Sequence, residues 1–302
     1  MITEAVVSYI KMRRTCGFAF ESEGACLQRF AAFSAAKGQH HVRSDVAMEW
    51  AVQARSAPAR ARRLGIVIRF ARYARAEDTR HELPVAVLGA EKAPRPVPYI
   101  YSQDDIRRLL RVLSQSGYRT LRRATYVTLF GLLACTGLRL SEALHLRYSD
   151  ITADGLVIRR TKFRKSRLVP LHETARAALE RYLEQRRAYA PLDDHVFISL
   201  RRKPLLVADA ERTLRTAARK IGLRRESGQP RPTIHALRHT FAVRALEACP
   251  DDRDRISQHM VALSTYLGHS HVAHTYWYLD ATPQLMTDIS ERCERFVAGG
   301  RS

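Results

Sequence analysis

The sequence has no apolar run long enough to cross a membrane. The longest one, Tyr126 to Leu138, ends at Arg139, and it is shorter than the roughly 20 residues that a membrane-spanning helix needs. Charges at Glu4 and Lys11 also interrupt the apolar core that a signal peptide would require. We therefore expect a cytoplasmic protein with no membrane partner.

Cysteine is scarce, and its placement excludes a disulfide framework. The five cysteines are odd in number, scattered and without CxxC spacing, so they are expected to be reduced, and most of them to be packing residues. They are Cys16, Cys26, Cys135, Cys249 and Cys293.

The usual signatures of nucleotide and metal chemistry are missing as well. There is no Gly-x-Gly pair, no phosphate-binding loop and no acidic cluster suited to magnesium. His235 and His239 are four residues apart, but Ala236 stands where a metalloprotease helix needs glutamate. No cysteine or carboxylate completes a zinc site with the second histidine group, which comprises His269, His271 and His274. We expect no cofactor and no metal ion.

Acidic residues are few in comparison with basic ones. The chain of 302 residues has 51 Lys and Arg against 30 Asp and Glu, a net charge of +21. Residues 1–95 and 96–302 are both basic, so the charge is not confined to a terminal tail. This balance favours a polyanionic partner, either nucleic acid or an anionic membrane surface, although an arginine-rich soluble surface has the same composition.

The first 77 residues have helical periodicity, with apolar residues at spacings of three and four. Breaks at Gly17, Gly38 and Pro58 separate four predicted helices, and Ser44 is a plausible N-cap of the third. The predicted helices are 2–15, 22–37, 44–55 and 58–77.

The fourth predicted helix carries many arginines and almost no acidic residues. This pattern suits a helix that packs on one side and contacts phosphates on the other, although charge runs more often form a solvated face. The arginines are Arg60, Arg62, Arg63, Arg69, Arg72 and Arg75.

Alternate prolines at Pro94, Pro96 and Pro98 predict an extended linker, and a mixed pattern follows it. The helix after Ser102 should run to about Ser114, and Gly137 can end the next helix in the left-handed conformation. Predicted strands are 156–160, 166–171 and 195–199. Predicted helices are 102–114, 121–135, 173–189, 207–221, 235–247, 256–267, 271–278 and 283–297. The fold class is therefore mainly α with a small β-sheet.

Four short segments combine cationic residues with residues that can transfer protons. In this order they resemble the catalytic signature of the tyrosine recombinases of the phage integrase family, over about residues 98–297. The segments are Thr136–Glu142, Thr161–Leu171, His235–Thr240, and Leu267–His269 followed nine positions later by Tyr278.

The resemblance implies a domain order and an activity. Residues 1–89 would form a helical core-binding (SAM-like) DNA-binding domain, 90–98 a linker, and 99–302 an α+β catalytic domain. The enzyme would be a site-specific recombinase that cleaves and rejoins double-stranded DNA through a 3′-phosphotyrosyl intermediate. It would act as a homotetramer on DNA and would need no cofactor.

The resemblance also gives roles to the cations and to the nucleophile. Arg139 and Arg238 match the pair that clamps the nonbridging oxygens of the phosphorane, for which forked guanidinium donors are well suited. Tyr278 matches the nucleophile, and Tyr276 and Tyr266 are its competitors in this sequence.

The remaining roles concern proton transfer and orientation. Lys162 matches the general acid that protonates the leaving 5′ oxygen, with Lys165 as the runner-up. His235 is the expected general base and His269 a donor to the phosphorane. Glu142 is expected to orient an arginine or a histidine.

One spacing departs from the family pattern, and two alternative functions stay open. Arg238 and His269 are 31 positions apart, which is longer than the family usually shows, and residues 250–255 are expected to form the additional polar loop. A type IB topoisomerase has similar chemistry but rejoins the same strand. A catalytically silent DNA-binding protein is the alternative from another class.

Overall fold

The computed structural model describes residues 1–89, 97–118, 120–159, 166–189, 194–223, 230–248, 253–268 and 275, with side chains from 258 onward in the last helix. The chain divides into two compact units, Met1–Arg95 and Pro96–Ser302. No helix among the described residues is long and apolar enough to span a membrane.

The first unit contains the four helices that the sequence predicts. Its core is lined by aromatic side chains from all four helices, with Phe30 and Trp50 rings 5.4 Å apart and Tyr9 and Phe70 rings 5.7 Å apart. The helices are α1 (Ile2–Thr15), α2 (Glu21–Ala36), α3 (Ser44–Val52) and α4 (Ala57–Glu77).

The predicted N-cap of α3 was wrong by one residue. Arg43 is the N-cap and Ser44 is the first helical residue. The backbone N–H of Ser44 donates to the Glu82 carboxylate at 2.7 Å. A carboxylate that is distant in sequence therefore satisfies a free N–H of the helix start, so the serine side chain is not needed for it.

Where the structure describes it, the second unit is mostly helical and has one small sheet, which confirms the predicted fold class. Its three strands pair antiparallel in sequence order, and Ile158 lies opposite Arg167. The elements are α5 (Gln103–Ser114), α6 (Thr120–Thr136), α7 (Leu140–Leu144), a 3₁₀ turn (Tyr148–Asp150), β1 (Ile151–Thr152), β2 (Gly155–Ile158), β3 (Arg167–Val169), α8 (Glu173–Arg187), α9 (Val207–Lys220), α10 (Ile234–Glu247) and α11 (Arg253–Leu267).

Two predicted elements of this unit differ from the structure. The stretch 195–199 is not a strand, since it forms only isolated bridges, Arg147 with His195 and Ile198 with Pro204. Its apolar residues are buried in the core without a ladder, and apolarity alone reports burial and not pairing. Helix α11 begins at Arg253, so the predicted polar loop 250–255 is wrong for its last residues, because a run of charged residues does not by itself distinguish a loop from the start of a helix.

Some sequence predictions lie outside the described residues. These are most of the linker 90–98, and the helices 271–278 and 283–297 apart from Thr275, which is helical and buried.

Helix α6 lies at the centre of the second unit and ends at a glycine. It packs against α5, α8 and α10, and Gly137 follows it with φ +62°, as predicted. A Cβ at Gly137 would lie 2.5 Å from the Phe241 ring on α10. Only glycine therefore allows both the left-handed turn and the close approach of α10.

We expect Gly137→Ala to lower the free energy of unfolding by about 2 kcal/mol or more, because it adds left-handed strain to overpacking against Phe241. Gly131→Ala in α6 is the matched control, since nothing lies within 4 Å of its Cβ position, and it should be neutral or stabilising. Urea denaturation measures both variants, and equal stability of the two would contradict this account of the turn.

Candidate active site

Arg139 stands at the start of α7, directly after the turn at Gly137 and Leu138. It is the N-cap of that helix, and its backbone N–H donates to the Glu142 carboxylate at 2.9 Å. Its guanidinium also donates to Glu142, at 2.8 Å, and the side chain remains about one-third exposed. Glu142 thus accepts from both the backbone and the side chain of Arg139, which fixes the direction of this arginine.

Arg238 lies in the first turns of α10, which Thr233 caps by accepting the Ala236 N–H. The residue is only 2% exposed. Its guanidinium donates to the carbonyl of Gly137 at 2.7 Å and to that of Leu267 at 2.6 Å. A buried arginine held by backbone carbonyls is a fixed cation, unlike a solvated surface charge.

The two arginines meet at the C-terminal end of α11. The carbonyl of Leu267 accepts from Arg238 and also from Arg139, the latter at 3.3 Å, and the carbonyl of Gly268 accepts from Arg139 at 3.2 Å. Elements that are about a hundred residues apart in sequence therefore bring two guanidinium groups to one point. Gly268, one of the residues whose carbonyl accepts from Arg139, is followed directly by His269 in the sequence.

Glu142 connects Arg139 to a third arginine, Arg167 of β3. Arg167 forms a two-pronged pair with the carboxylate at 3.0 and 2.8 Å, and it also donates to the Tyr266 carbonyl at 2.7 Å. Burial would raise the pKa of Glu142, but the hydrogen bonds from Arg167 and Arg139 outweigh it and lower the pKa to about 2. The carboxylate is therefore charged at neutral pH, as expected for an orienting group.

His235 lies one helical turn before His239, and the two rings are 4.4 Å apart. Its side chain has exposed surface, yet the surrounding protein removes part of its solvation. This desolvation, together with the charges of Arg238 and Arg139, lowers the pKa of His235. Burial also lowers the pKa of His239, to about 4. Both imidazoles are thus kept neutral at pH 7.

His235 and Arg139 line one cavity of about 1220 Å³ between α7, α9 and the start of α10. The wall has an apolar part, which includes Leu138 and Leu214, and a basic part from α9 and the segment before α10. The cavity suits a ligand that carries negative charge.

Tyr266 does not fit the nucleophile role that the sequence left open. Its ring stacks on Phe241 at 5.5 Å, and burial raises its pKa to about 12. A phenol that is hard to ionise and held by stacking is a packing residue.

The structure thus brings Arg139, Arg238 and His235 together. Lys162, His269 and Tyr278 lie outside the described residues, as do the competitors Lys165 and Tyr276. Lys162 belongs to the connection between β2 and β3, and His269 directly follows Gly268.

The sequence interpretation gave no role to Arg167, although its segment was singled out. The only available signal was an arginine at the start of a strand whose other residues are apolar. Its partners come from α7 and α11, and no local spacing identifies them.

Within the described residues, one group in the first unit has metal-ligand spacing that the sequence did not suggest. The ligand atoms of His41, Asp78 and His81 lie within 4.8 Å of one another. However, the Val42 N–H donates to Nδ1 of His81, which leaves the ring proton on Nε2, and Arg80 occupies the Asp78 carboxylate. A metal-bound histidine normally donates through its other nitrogen, so the group does not fit a metal ion.

Comparison with known proteins places this geometry in a family. Residues 100–284 match the model of the phage integrase family. The protein y4rB of Sinorhizobium fredii, named as an integrase/recombinase, is 40% identical over 97% of this chain and 96% of its own length. The tyrosine recombinase XerD of Caulobacter vibrioides is 33% identical over 76% of this chain and 72% of its own length.

Solved structures show the same fold. XerH recombinase in a post-cleavage complex with difH DNA matches with a TM-score of 0.67 and 18% identity, over 90% of this chain and 79% of its own. A lambda integrase tetramer bound to a Holliday junction matches with a TM-score of 0.60 and 17% identity, over 89% of this chain and 77% of its own. The family resemblance inferred from the four sequence segments is confirmed.

We expect Glu142→Gln to destabilise the fold by about 3 kcal/mol at pH 7, because it leaves the largely buried guanidinium of Arg167 and the partly exposed one of Arg139 without their carboxylate. The folded-state pKa of Glu142 is lowered, so its contribution is present above the unfolded-state pKa and is lost as pH falls through the folded value. The stability difference between the two proteins should therefore be constant above about pH 5.5 and shrink between pH 4.5 and 2. Urea denaturation across this range measures it, and a difference that does not vary with pH would contradict the ion pair.

Proposed function

The chain belongs to the phage integrase family and is a tyrosine-type site-specific recombinase, and from this premise we propose how its own residues cleave and rejoin DNA. The observation that carries the proposal is the meeting of Arg139 and Arg238 at the carbonyl of Leu267. Two fixed guanidinium groups at one point suit a phosphodiester whose charge grows as it is attacked.

The two arginines stabilise the phosphorane. Attack on phosphorus places additional negative charge on the nonbridging oxygens, and forked donors that are already oriented stabilise that charge most in the transition state. Arg139, which keeps about one-third of its side chain exposed, faces the cavity directly. Arg238 supplies a second, buried charge whose position is set by Gly137 and Leu267.

Tyr278 is the nucleophile in this proposal. Its phenolic oxygen forms a bond to phosphorus, the bond from phosphorus to the 5′ oxygen breaks, and a 3′-phosphotyrosyl ester results. His235 accepts the phenolic proton, Lys162 gives a proton to the leaving 5′ oxygen, and His269 donates to the phosphorane. Rejoining reverses these steps with a 5′-hydroxyl, which returns the tyrosine, so no external energy source is needed.

The environment of His235 supports its role as the base. Desolvation and two neighbouring guanidinium charges lower its pKa, so the ring is neutral at pH 7 and can accept a proton. The same positive charges favour a phenolate, whose ordinary pKa near 10 would otherwise make the tyrosine a weak nucleophile.

We also propose that both units bind double-stranded DNA and that four protomers assemble on it. Structural neighbours of this fold are bound to DNA, one of them as a tetramer on a Holliday junction. In the first unit, α4 has exposed arginines at 69, 72 and 75 and no acidic residue in its first turn. The core-binding role of residues 1–89 and the catalytic role of residues 99–302 follow from this proposal.

We expect Tyr278→Phe to bind DNA with unchanged affinity and to form no covalent complex, because phenylalanine keeps the ring and removes only the nucleophilic oxygen. A nicked duplex carrying the site, located by footprinting on DNA that flanks the gene, traps the intermediate for gel analysis. Tyr276→Phe is the control and should still be trapped. If the two variants behave in the opposite way, the assignment is wrong by two residues; if the wild type forms no covalent complex, the enzymatic proposal fails.

We expect Arg69→Gln and Arg72→Gln to weaken DNA binding and to lower the slope of log affinity against log salt by about one each, because each removes one phosphate contact. Arg80→Gln, an exposed arginine already paired with Asp78, is the control from the same unit. Fluorescence anisotropy between 50 and 300 mM NaCl measures the slopes. Equal slopes for all four proteins would show that α4 does not contact the backbone.

A further inference from the structure

Arg167 contacts Glu142 and the C-terminal end of α11, which both hold Arg139 in place. Its two Nη groups donate to the two oxygens of Glu142, and its Nε donates to the Tyr266 carbonyl. The side chain is only 11% exposed. One guanidinium therefore uses all three of its nitrogens to join β3 to α7 and α11.

The close packing of Gly268 shows how tightly this guanidinium is placed. Gly268 has φ +66°, and a Cβ there would lie 2.9 Å from Nη1 of Arg167 and 3.2 Å from its central carbon. The carbonyl of the same glycine accepts from Arg139. Arg167 thus borders the backbone that Arg139 contacts and that leads to His269.

Arg167 and Arg139 also share one carboxylate. Oε1 of Glu142 accepts from the Arg139 guanidinium, and Oε2 accepts from the Arg139 backbone N–H. Both oxygens also accept from the Arg167 guanidinium. A shift of the carboxylate would therefore turn Arg139 as well. The geometry makes the direction of one guanidinium depend on the position of the other.

The place of Arg167 in the chain adds a third connection. It begins β3, opposite Ile158 at the end of β2, so the connection that carries Lys162 ends at this residue. Three of the proposed catalytic groups therefore belong to segments next to Arg167. Arg139 shares Glu142 with it, Lys162 lies in the connection that it ends, and His269 follows the glycine that packs against it.

We propose that Arg167 is a positioning residue for DNA cleavage, which acts through Glu142 and the end of α11 to set the direction of Arg139. This inference rests on the proposed function. It separates Arg167 from the DNA-binding arginines, because its guanidinium is directed to protein acceptors and its side chain has little exposed surface. Loss of Arg167 should lower the rate of DNA cleavage and leave the affinity for DNA unchanged.

The decisive variant is Arg167→Lys, which keeps the charge but loses the fork that contacts two oxygens and a carbonyl together. We expect its rate of covalent-complex formation on the nicked duplex to fall about 100-fold, the loss typical of a small misplacement of a catalytic group. Its DNA affinity should be within twofold of wild type. Arg176→Gln, which removes an arginine that caps the carbonyls of Thr152 and Ala153 instead, is the control and should cleave like wild type.

A pH profile and a double-mutant cycle separate positioning from general loss of structure. Without Arg167, Glu142 loses the hydrogen bonds and the charge that do most to lower its pKa, so that pKa rises. Protonation of His235 should reduce cleavage by both proteins towards pH 5, and Arg167→Gln should lose a larger fraction of its activity than wild type between pH 7 and pH 5. Adding Glu142→Gln to Arg167→Gln should cost less than the product of the single losses, because both act through one pair.

The outcomes distinguish a failure of this inference from a failure of the proposed function. If wild type and Arg167→Lys form the covalent complex at rates within twofold, the positioning role is wrong while the proposed function stands. If Arg167→Lys loses DNA affinity in parallel with cleavage, Arg167 is a DNA contact and the inference also fails. If wild type itself forms no complex, or Tyr278→Phe still does, the proposed function fails first.

Discussion

The C-terminal end of α11 is an acceptor site for three arginines, and the active-site geometry depends on it. The last carbonyls of a helix have no partners within the helix and carry its partial negative charge. Here the carbonyls of residues 266, 267 and 268 accept from Arg167, from Arg139 and Arg238, and from Arg139, respectively. Three cations from β3, α7 and α10 are thereby held close together, although their charges repel one another.

A carboxylate offsets part of the repulsion among these arginines. Among the described residues, Glu142 is the carboxylate that pairs with these arginines, and it serves Arg139 and Arg167. Arg238 donates to the carbonyls of Gly137 and Leu267. In the proposed mechanism, oriented guanidinium groups stabilise a phosphorane, with one more negative charge, better than they stabilise the phosphodiester.

Much of this was predictable from sequence, because local rules control it. The four helices of the first unit follow from apolar periodicity, and Gly137 follows from the need for a left-handed turn after α6. The capping box of α5, in which Ser102 and Asp105 exchange hydrogen bonds, is also local. The four signature segments identified the family because their residue types and order are specific together.

What the sequence did not predict depends on contacts between distant segments. At the start of α3, the acceptor of the Ser44 N–H is the carboxylate of Glu82, which lies 38 residues later in the sequence. The apolar residues of the stretch 195–199 are buried, but no local pattern shows that the stretch does not pair with a neighbouring strand. The role of Arg167 was missed for the same reason, because its partners Glu142 and Tyr266 are 25 and 99 residues away in the sequence.

The arginine content also has to be divided between binding and structure. Several arginines of the second unit donate to the protein's own carbonyls: Arg108 to Ile221, Arg176 to Thr152 and Ala153, Arg186 to His195, and Arg244 to Tyr101. In the first unit, Arg60 and Arg63 similarly donate to Ala54 and Trp50. Such residues contribute to the long-range potential that attracts DNA, but they have fewer donors left for a phosphate. The net charge of +21 therefore indicates a polyanionic partner but is not a count of phosphate contacts, because the same side chain that suits a phosphate also suits the end of a helix.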